Sequence, residues 1–375
     1  MSEHEPVRPL DGFTVGVTAA RRADDLSALL ERRGAVVQHA PALRIVPLAD
    51  DAELLVGTKR LIAEPPDLAV ATTGIGFRGW LEAADGWGLG DELRAALAGA
   101  EILTRGPKVR GAVRAAGLRE SWSPESESMA EVRDRLLGEG VRGRRIAVQL
   151  HGDPLSDLVA ALRADGAEVV GVPVYRWLPP EDLAPVDRLT DAVLAGGVDA
   201  LTFTSAPAAV SLLERAGERG VRDPLLAELR GGRVLAACVG PVTAAPLEAA
   251  GVPTASPERF RLGPLVQLLC ARLPEAAATF EVEGHGVEIR GHAVVVDGRL
   301  RAVPPAGMAL LRELTRRPGR VVSRADLLRA LPGAGADEHA VETAMTRLRA
   351  ALGVRGVVQT VVKRGYRLAV EPDGR

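Results

Sequence analysis

Near its C-terminus the chain sets out polar and cationic side chains in a pattern that apolar packing alone does not require. From about Asp337 to Leu352 the sequence predicts a helix in which Val341, Met345, Leu348 and Leu352 share one face. Thr343, Thr346, Arg347 and Arg349 are left on or near the outer side. Downstream, VVQTVVKRGYRLAV reads as two β runs flanking Lys363, Arg364 and Gly365, a basic hairpin tip. The charge balance gives this set a partner. Residues 285–375 carry sixteen Lys and Arg against nine Asp and Glu, a surplus of +7, so the rest of a chain of net charge −2 carries −9. A basic C-terminal domain is the electrostatic footprint expected for nucleic acid, and an acidic body keeps the remainder off it.

The elements that must position these groups follow from periodicity. PAGMALLRELTRRPG places Met308, Leu311 and Leu314 on one helical face and stops at Pro318-Gly319; Ser323 then N-caps RADLLRAL. Upstream, FEVEG, VEIRG and AVVVDG with Gly turns predict antiparallel hairpins, and LPEAAAT (273–279) reads as a linker. The first 270 residues have another style. Apolar β runs such as FTVGVTAA (13–20), LAVATT (68–73), AEILTR (100–105), RRIAVQL (144–150), AEVVGVPVY (167–175), DALTFTS (199–205) and RVLAACVG (233–240) alternate with helical segments, the first of them 22–33. That alternation predicts parallel, doubly wound sheets. The plan of residues 67–84 recurs in 199–216, and that of 101–118 in 233–252, which predicts two similar lobes.

Composition narrows the class. At 375 residues the chain needs two or three domains, and no apolar run reaches the length of a membrane span. The charged N-terminal stretch lacks the apolar core of a secretory signal, and Cys238 and Cys270 are too few for a disulfide framework. A cytoplasmic location is expected. Two Cys and six scattered His give no zinc-spaced ligand pair, so no metal and no cofactor are expected, and both thiols are assigned to core packing.

Three blocks in order, RPGRVVSRADLLRAL, AVETAMTRLRAAL and VQTVVKRGYRL, resemble the OmpR/PhoB-type winged-helix effector domain over 280–371, including its preceding small antiparallel sheet. The resemblance implies that the third helix enters a DNA major groove and the hairpin wing the adjacent minor groove. Thr343, Thr346, Arg347 and Arg349 would then meet phosphates or base edges, with Thr360, Lys363 and Arg364 on the flanking backbone. The family often has a basic or polar residue where Ala344 stands, which implies fewer base-reading side chains.

Residues 1–272 resemble uroporphyrinogen-III synthase, on VGVTAAR (15–21), GAEVVGVPVYRW (166–177), LTFTSAPAAVSLL (201–213) and AACVGPVTAAPLEAAGV (236–252). The implied fold is two flavodoxin-like lobes, 10–44 with 176–270 and 45–175, joined by a two-stranded linker, with a tetrapyrrole bound between them. That enzyme closes hydroxymethylbilane with inversion of one ring, using no cofactor, so positioning is its main demand. Turns between strands and helix N-termini suit the substrate's carboxylates. On this basis Thr18 and Arg21, Thr73 and Gly74, Arg105, Gly106 and Lys108, His151, Thr204, Ser205 and Ala206, and Gly240 and Thr243 are candidate ligand contacts. Each also has a plain reading as a turn residue or a solvated charge. Tyr175 matches the family's linker tyrosine, which helps the hydroxyl leave; it reads equally as a residue capping a strand. TTGIGF departs from the family's Thr-Ser-X-Asn-like turn.

The pairing of modules resembles actinobacterial regulators of nitrate and nitrite assimilation. It implies a transcription regulator whose synthase-like module is a sensor or dimerisation platform. The expected partners are promoter DNA, a tetrapyrrole or other small anionic effector, another nitrogen regulator or RNA polymerase, and a second copy on DNA, with no membrane. A chain that both binds DNA and closes hydroxymethylbilane is the alternative reading, and an enzyme whose C-terminal domain is vestigial or binds protein is a third. No phosphoacceptor receiver pattern is present.

Overall fold

The computed structural model describes residues 6–47, 52–151, 155–282, 284–331 and 339–370. In chain order the strands are β1 (Thr14–Val17), β2 (Val36–His39), β3 (Arg44–Pro47), β4 (Leu68–Ala71), β5 (Glu101–Thr104), β6 (Glu120–Trp122), β7 (Arg145–His151), β8 (Glu168–Leu178), β9 (Ala200–Phe203), β10 (Leu235–Cys238), β11 (Thr254–Ala255), β12 (Ala278–Val282), β13 (His285–Ile289), β14 (Ala293–Val296), β15 (Arg299–Ala302), β16 (Val358–Val361) and β17 (Gly365–Leu368). The chain divides into two compact units: residues 44–178, and residues 1–43 with 179–375.

The sheet of the second of these units has the order β11-β10-β9-β1-β2, all parallel. Counted along the chain within that sheet, this is the 2-1-3-4-5 flavodoxin order. The sheet of residues 44–178 has the order β3-β8-β7-β4-β5-β6, parallel except for β3. If its count begins at β7, the five parallel strands again run 2-1-3-4-5, so this sheet is a circular permutation of the other. The two internal echoes in the sequence are β4 with β9 and β5 with β10, which occupy equivalent places.

The inner parallel strands β1, β4, β5, β9 and β10 are buried on both faces, which is why these runs are mostly apolar and do not alternate with polar residues, whereas the edge strands β2, β6 and β11 are partly exposed. In β4, Leu68 and Val70 pack with Ile146, Val148, Leu136 and Leu162, while Ala69 and Ala71 face Phe77, Trp80 and Leu93. The pair expected as linkers is a ladder: β3 runs antiparallel to β8, pairing Arg44 with Leu178 and Val46 with Arg176. The division between units falls at 43–44 and 178–179.

Two boundaries differ from the sequence reading. Residues 273–279 are not an irregular linker, because the helix Leu262–Ala276 continues through Pro274 and β12 begins at Ala278. LPEAAAT resembles a spacer in composition, but Leu273 is buried against Leu265 and Leu269. The first helix spans Ala23–Glu31 and not 22–33, since Arg22 takes a left-handed conformation at its N-cap.

The C-terminal region has its own core, in which Val294 and Val296 of a four-stranded antiparallel sheet, β12-β13-β14-β15, pack with Met308, Leu311, Leu314, Leu327, Met345 and Leu348 from three helices. Those helices are Pro305–Thr315, Arg324–Ala330 and His339–Leu352. Ser323 caps the second as expected, its hydroxyl accepting from the Asp326 amide at 3.1 Å. The β16–β17 hairpin follows the third helix. Asp337, the expected start of that helix, lies outside the described residues.

Candidate nucleic-acid interface and strand-edge turns

The outer face of the helix His339–Leu352 is set by its inner one. Val341, Met345, Leu348 and Leu352 are buried, which turns Thr343, Thr346 and Arg347 to solvent. Ala344 lies on the inner face at 7% exposure, so its small size is a packing requirement and does not deprive the outer face of a reader. Thr346 Oγ1 donates to the Glu342 carbonyl at 2.9 Å and keeps its lone pairs outward.

Arg349 behaves differently from the expectation. Its Nε and Nη2 donate to the Val358 carbonyl at 3.0 and 2.8 Å, Nη2 also reaches Thr360 Oγ1 at 2.8 Å, and the guanidinium stands 5.6 Å from the Tyr366 ring centroid. This side chain braces the helix against β16, and Thr360 belongs to the brace. Arg324 meets the same ring at 5.6 Å and pairs with Glu342 at 3.7 Å, a contact that sequence reading missed because its partners come from three separate elements.

The wing is held by a backbone constraint. Val361 pairs with Gly365, the Arg364 amide donates to the Val361 carbonyl at 2.9 Å, and Lys363 has φ 62°. Val362, Lys363 and Arg364 are exposed at the tip. Gly365 has φ 138°, and a Cβ there would collide with the Val322 carbonyl oxygen, because Val322 and Tyr366 exchange both backbone hydrogen bonds at 2.8 and 3.0 Å. Glycine is therefore the residue that lets the wing lie against the entry to the second helix.

The candidate ligand turns all lie at carboxyl ends of parallel strands, where open α/β sheets bind ligands. In residues 1–43 with 179–375, adjacent β10, β9 and β1 bring together Gly240 and Thr243, Thr204 to Ala206, and Thr18 and Arg21. Ser205 and Gly240 precede their helices without a side-chain cap bond, which leaves the first-turn amides without a side-chain acceptor. The Phe260 ring, 61% exposed, lies over Gly240. Arg21 is exposed at the same edge. Thr18 is not available to a ligand, being fully buried with its hydroxyl donated to the Thr202 carbonyl at 2.8 Å. Thr243 is buried.

In residues 44–178 the carboxyl ends of β7, β4 and β5 are adjacent, but the protein uses much of the polarity there itself. Thr73 Oγ1 accepts from the Gly76 amide at 3.3 Å and from Gln149 Nε2 at 3.0 Å. Gln149, which the sequence reading passed over, is buried; its Oε1 accepts from the Thr72 amide at 3.1 Å and its Nε2 donates to the Thr73 carbonyl at 3.1 Å. The signal was one amide inside the apolar run RRIAVQL. The departure TTGIGF has a steric cause, since a Cβ at Gly74 would stand 2.6 Å from the Lys108 carbonyl oxygen and one at Gly76 would collide with Gln149 Nε2.

Glu127 lies against Gly106, its Cγ 2.9 Å from where a Cβ would be, and Arg105 Nε donates to the Glu127 carbonyl at 2.9 Å. A resident carboxylate thus stands beside this turn, with Lys108 exposed nearby. His151 ends β7. Tyr175 is 8% exposed and belongs to the apolar cluster of this unit, its ring 6.5 Å from Trp177.

Residues 24–267 match the family model described as uroporphyrinogen-III synthase HemD. The chain belongs to the uroporphyrinogen-III synthase family. It is 30% identical over 256 residues to the uncharacterized protein YjjA of Bacillus subtilis, covering 68% of this chain and 94% of that one. A crystal structure of mutant uroporphyrinogen III synthase from Thermus thermophilus superposes with a TM-score of 0.55 at 34% identity, covering 68% of this chain and 96% of that one. This synthase-family chain has a second part. Residues 299–368 match the model described as transcriptional regulatory protein, C terminal, so the region is an OmpR/PhoB-type winged-helix DNA-binding domain. The RstA DNA-binding domain of Klebsiella pneumoniae, solved in complex with the RstA box, is 27% identical over 24% of this chain and 96% of that domain, with a TM-score of 0.22.

Among the described residues no helix is long and apolar enough to cross a membrane, and no group of three or more His, Cys, Asp and Glu is placed to hold a metal. Burial pushes the Cys238 thiol up to about 12, so it stays protonated and unreactive.

Proposed function

We propose that this protein is a transcription regulator in which the helix His339–Leu352 reads DNA through Thr343, Thr346 and Arg347, Lys363 and Arg364 of the wing meet the phosphate backbone, and the synthase-like module senses a carboxylated effector. The observation that carries the reading is the outer helix face beside a wing braced by Arg349 and locked by Gly365. Arg347 is free of the internal bonds that occupy Arg349, and a guanidinium suits the paired acceptors of guanine. For the effector, the uncapped amides at Ser205 and Gly240 with Arg21 offer the more open anion-binding edge.

The proposal includes a role in nitrate and nitrite assimilation. Its support is the pairing of modules: the macrocycle made by the synthase family is the precursor of sirohaem, the cofactor of assimilatory nitrite reductase. Turnover is not part of the reading, because Glu127 lies against Gly106 and Tyr175 is packed among apolar side chains. Genome-wide footprinting with and without nitrate tests the regulatory claim, with occupancy expected at nitrogen-assimilation promoters; no bound site under either condition refutes it. Conversion of hydroxymethylbilane to the type III isomer would restore the bifunctional reading.

A further inference from the structure

The DNA-binding domain is fastened to the amino ends of β1 and β9 of its own unit by a polar joint. Arg290 Nη1 donates to the carbonyls of Asp11 at 2.8 Å and Arg8 at 3.2 Å, its guanidinium lies 5.3 Å over the Phe13 ring, and Glu288 pairs with its Nε at 2.8 Å. The His292 amide donates to the Gly12 carbonyl at 2.8 Å. Asp199 accepts from the Thr14 amide at 2.7 Å and is packed so closely on Gly291 that a Cβ there would collide with the carboxylate. The joint thus ties the turn between β13 and β14 to the residues that enter β1 and β9.

Beside it opens a cavity of about 790 Å³, within the range of small-molecule sites. Arg233 and Arg272 line it from the synthase-like side, and from the DNA-binding domain come Arg312 of the helix Pro305–Thr315 and Arg316 just past its end. Arg233 and Arg312 converge on Gly196, where a Cβ would meet their Nη1 atoms at 2.7 and 3.4 Å. Among the described residues the Arg312 guanidinium donates to the Gly291 carbonyl, at 2.5 Å. Arg272 has no hydrogen bond or ion pair among the described residues. Against these cations the wall holds Asp199 and Glu275, and Asp199 is already engaged by Thr14. Arg233 pairs with Glu228 and its Nη2 donates to the Val193 carbonyl at 2.9 Å, and Arg316 pairs with Glu313 at 2.6 Å, so among the described residues it is Arg272 and Arg312 that lack an ion pair. Burial depresses Arg312 and raises the Asp199 carboxyl to about 6.

We infer that this cavity binds a small multiply charged oxyanion, carboxylate- or phosphate-bearing, that bridges Arg233 and Arg272 to Arg312 and so couples effector binding to DNA affinity. Paired guanidinium groups hold such oxyanions through two parallel hydrogen bonds each. The coupling to DNA rests on the regulator reading, whereas the binding does not.

Citrate and inorganic phosphate serve as probes on the full chain, by calorimetry at matched ionic strength and by anisotropy on a fixed promoter duplex. At least one anion is expected to bind the wild type and to shift DNA affinity threefold or more. Arg272→Gln, which breaks no internal contact, and Arg233→Gln weaken it at least tenfold, and Arg142→Gln, an equal loss of charge in residues 44–178, leaves it unchanged. Which anion binds separates the carboxylate from the phosphate source. Absence of binding by both probes, an equal loss in Arg142→Gln, or binding without any shift in DNA affinity overturns the inference. Anion binding at the cavity by a chain with no DNA affinity keeps the site and overturns the regulator reading.

Discussion

Replacing Arg349 by Ala separates a brace from a DNA contact. In the structure its guanidinium supplies two hydrogen bonds to the buried Val358 carbonyl and one to Thr360. Bonds from a charged donor contribute roughly 1.5 to 3 kcal/mol, and an orphaned buried carbonyl adds about 1 kcal/mol. Partial exposure of Arg349 discounts the sum, so about 2 kcal/mol of local stability at the wing is the working figure. All four Trp residues, 80, 87, 122 and 177, lie within residues 44–178, so tryptophan fluorescence does not report on this domain. Hydrogen exchange does. Protection across 354–370 is expected to fall roughly 30-fold, at about 1.4 kcal/mol per tenfold. DNA affinity falls on every sequence, with the slope of log K against log salt unchanged, because no phosphate contact is lost. Unaltered protection together with a slope smaller by about one would refute the brace and return Arg349 to the phosphate backbone.

Gly365→Ala is expected to cost more than about 2 kcal/mol at the same segment, since the added Cβ meets the Val322 carbonyl at a positive φ; exchange of the Tyr366 amide reads it. Asp199→Asn tests the joint. Desolvation raises the native carboxyl to about 6 from 3.8, so the folded state binds the extra proton between those values and stability falls as pH rises through that window, by at most about 3 kcal/mol. His292 is lowered by burial and by Arg312, so it opposes this by losing stability as pH falls below its ordinary range. The difference between wild-type and Asp199→Asn unfolding curves isolates the aspartate, and parallel curves from pH 4 to 7 would contradict its burial as an acid. Arg347→Ala should cost roughly 1 to 3 kcal/mol on a specific site and less on random DNA. Lys363→Ala or Arg364→Ala should weaken both alike and reduce the salt slope by about one.

Much of this architecture is legible in the sequence because it rests on local chemistry. The apolar run at 68–71 reports a strand buried on both faces, the 3.6-residue spacing of Val341, Met345, Leu348 and Leu352 fixes the outer helix face, and Ser323 announces a helix start. The echoes at 67–84 and 199–216 reveal equivalent strands. What escapes is whatever depends on partners far apart in the chain. Arg349 looks like an outward donor until β16 is laid beside it. Thr18 reads as a ligand contact until the Thr202 carbonyl, from the neighbouring strand, takes its hydroxyl. Arg290 and Asp199 give no local sign of the joint, because each acts on backbone some 185 to 282 residues away. LPEAAAT shows the opposite failure, since its composition says spacer while Leu273 is held by a core.

Hydrogen-exchange mass spectrometry of the full chain, free and bound to a promoter duplex, tests the DNA-binding account most directly. The expected result is added protection across 339–352 and 358–368, the reading helix and the wing, with none along the turns at 72–76 and 106–108. Protection at those turns with 339–368 unchanged would contradict it.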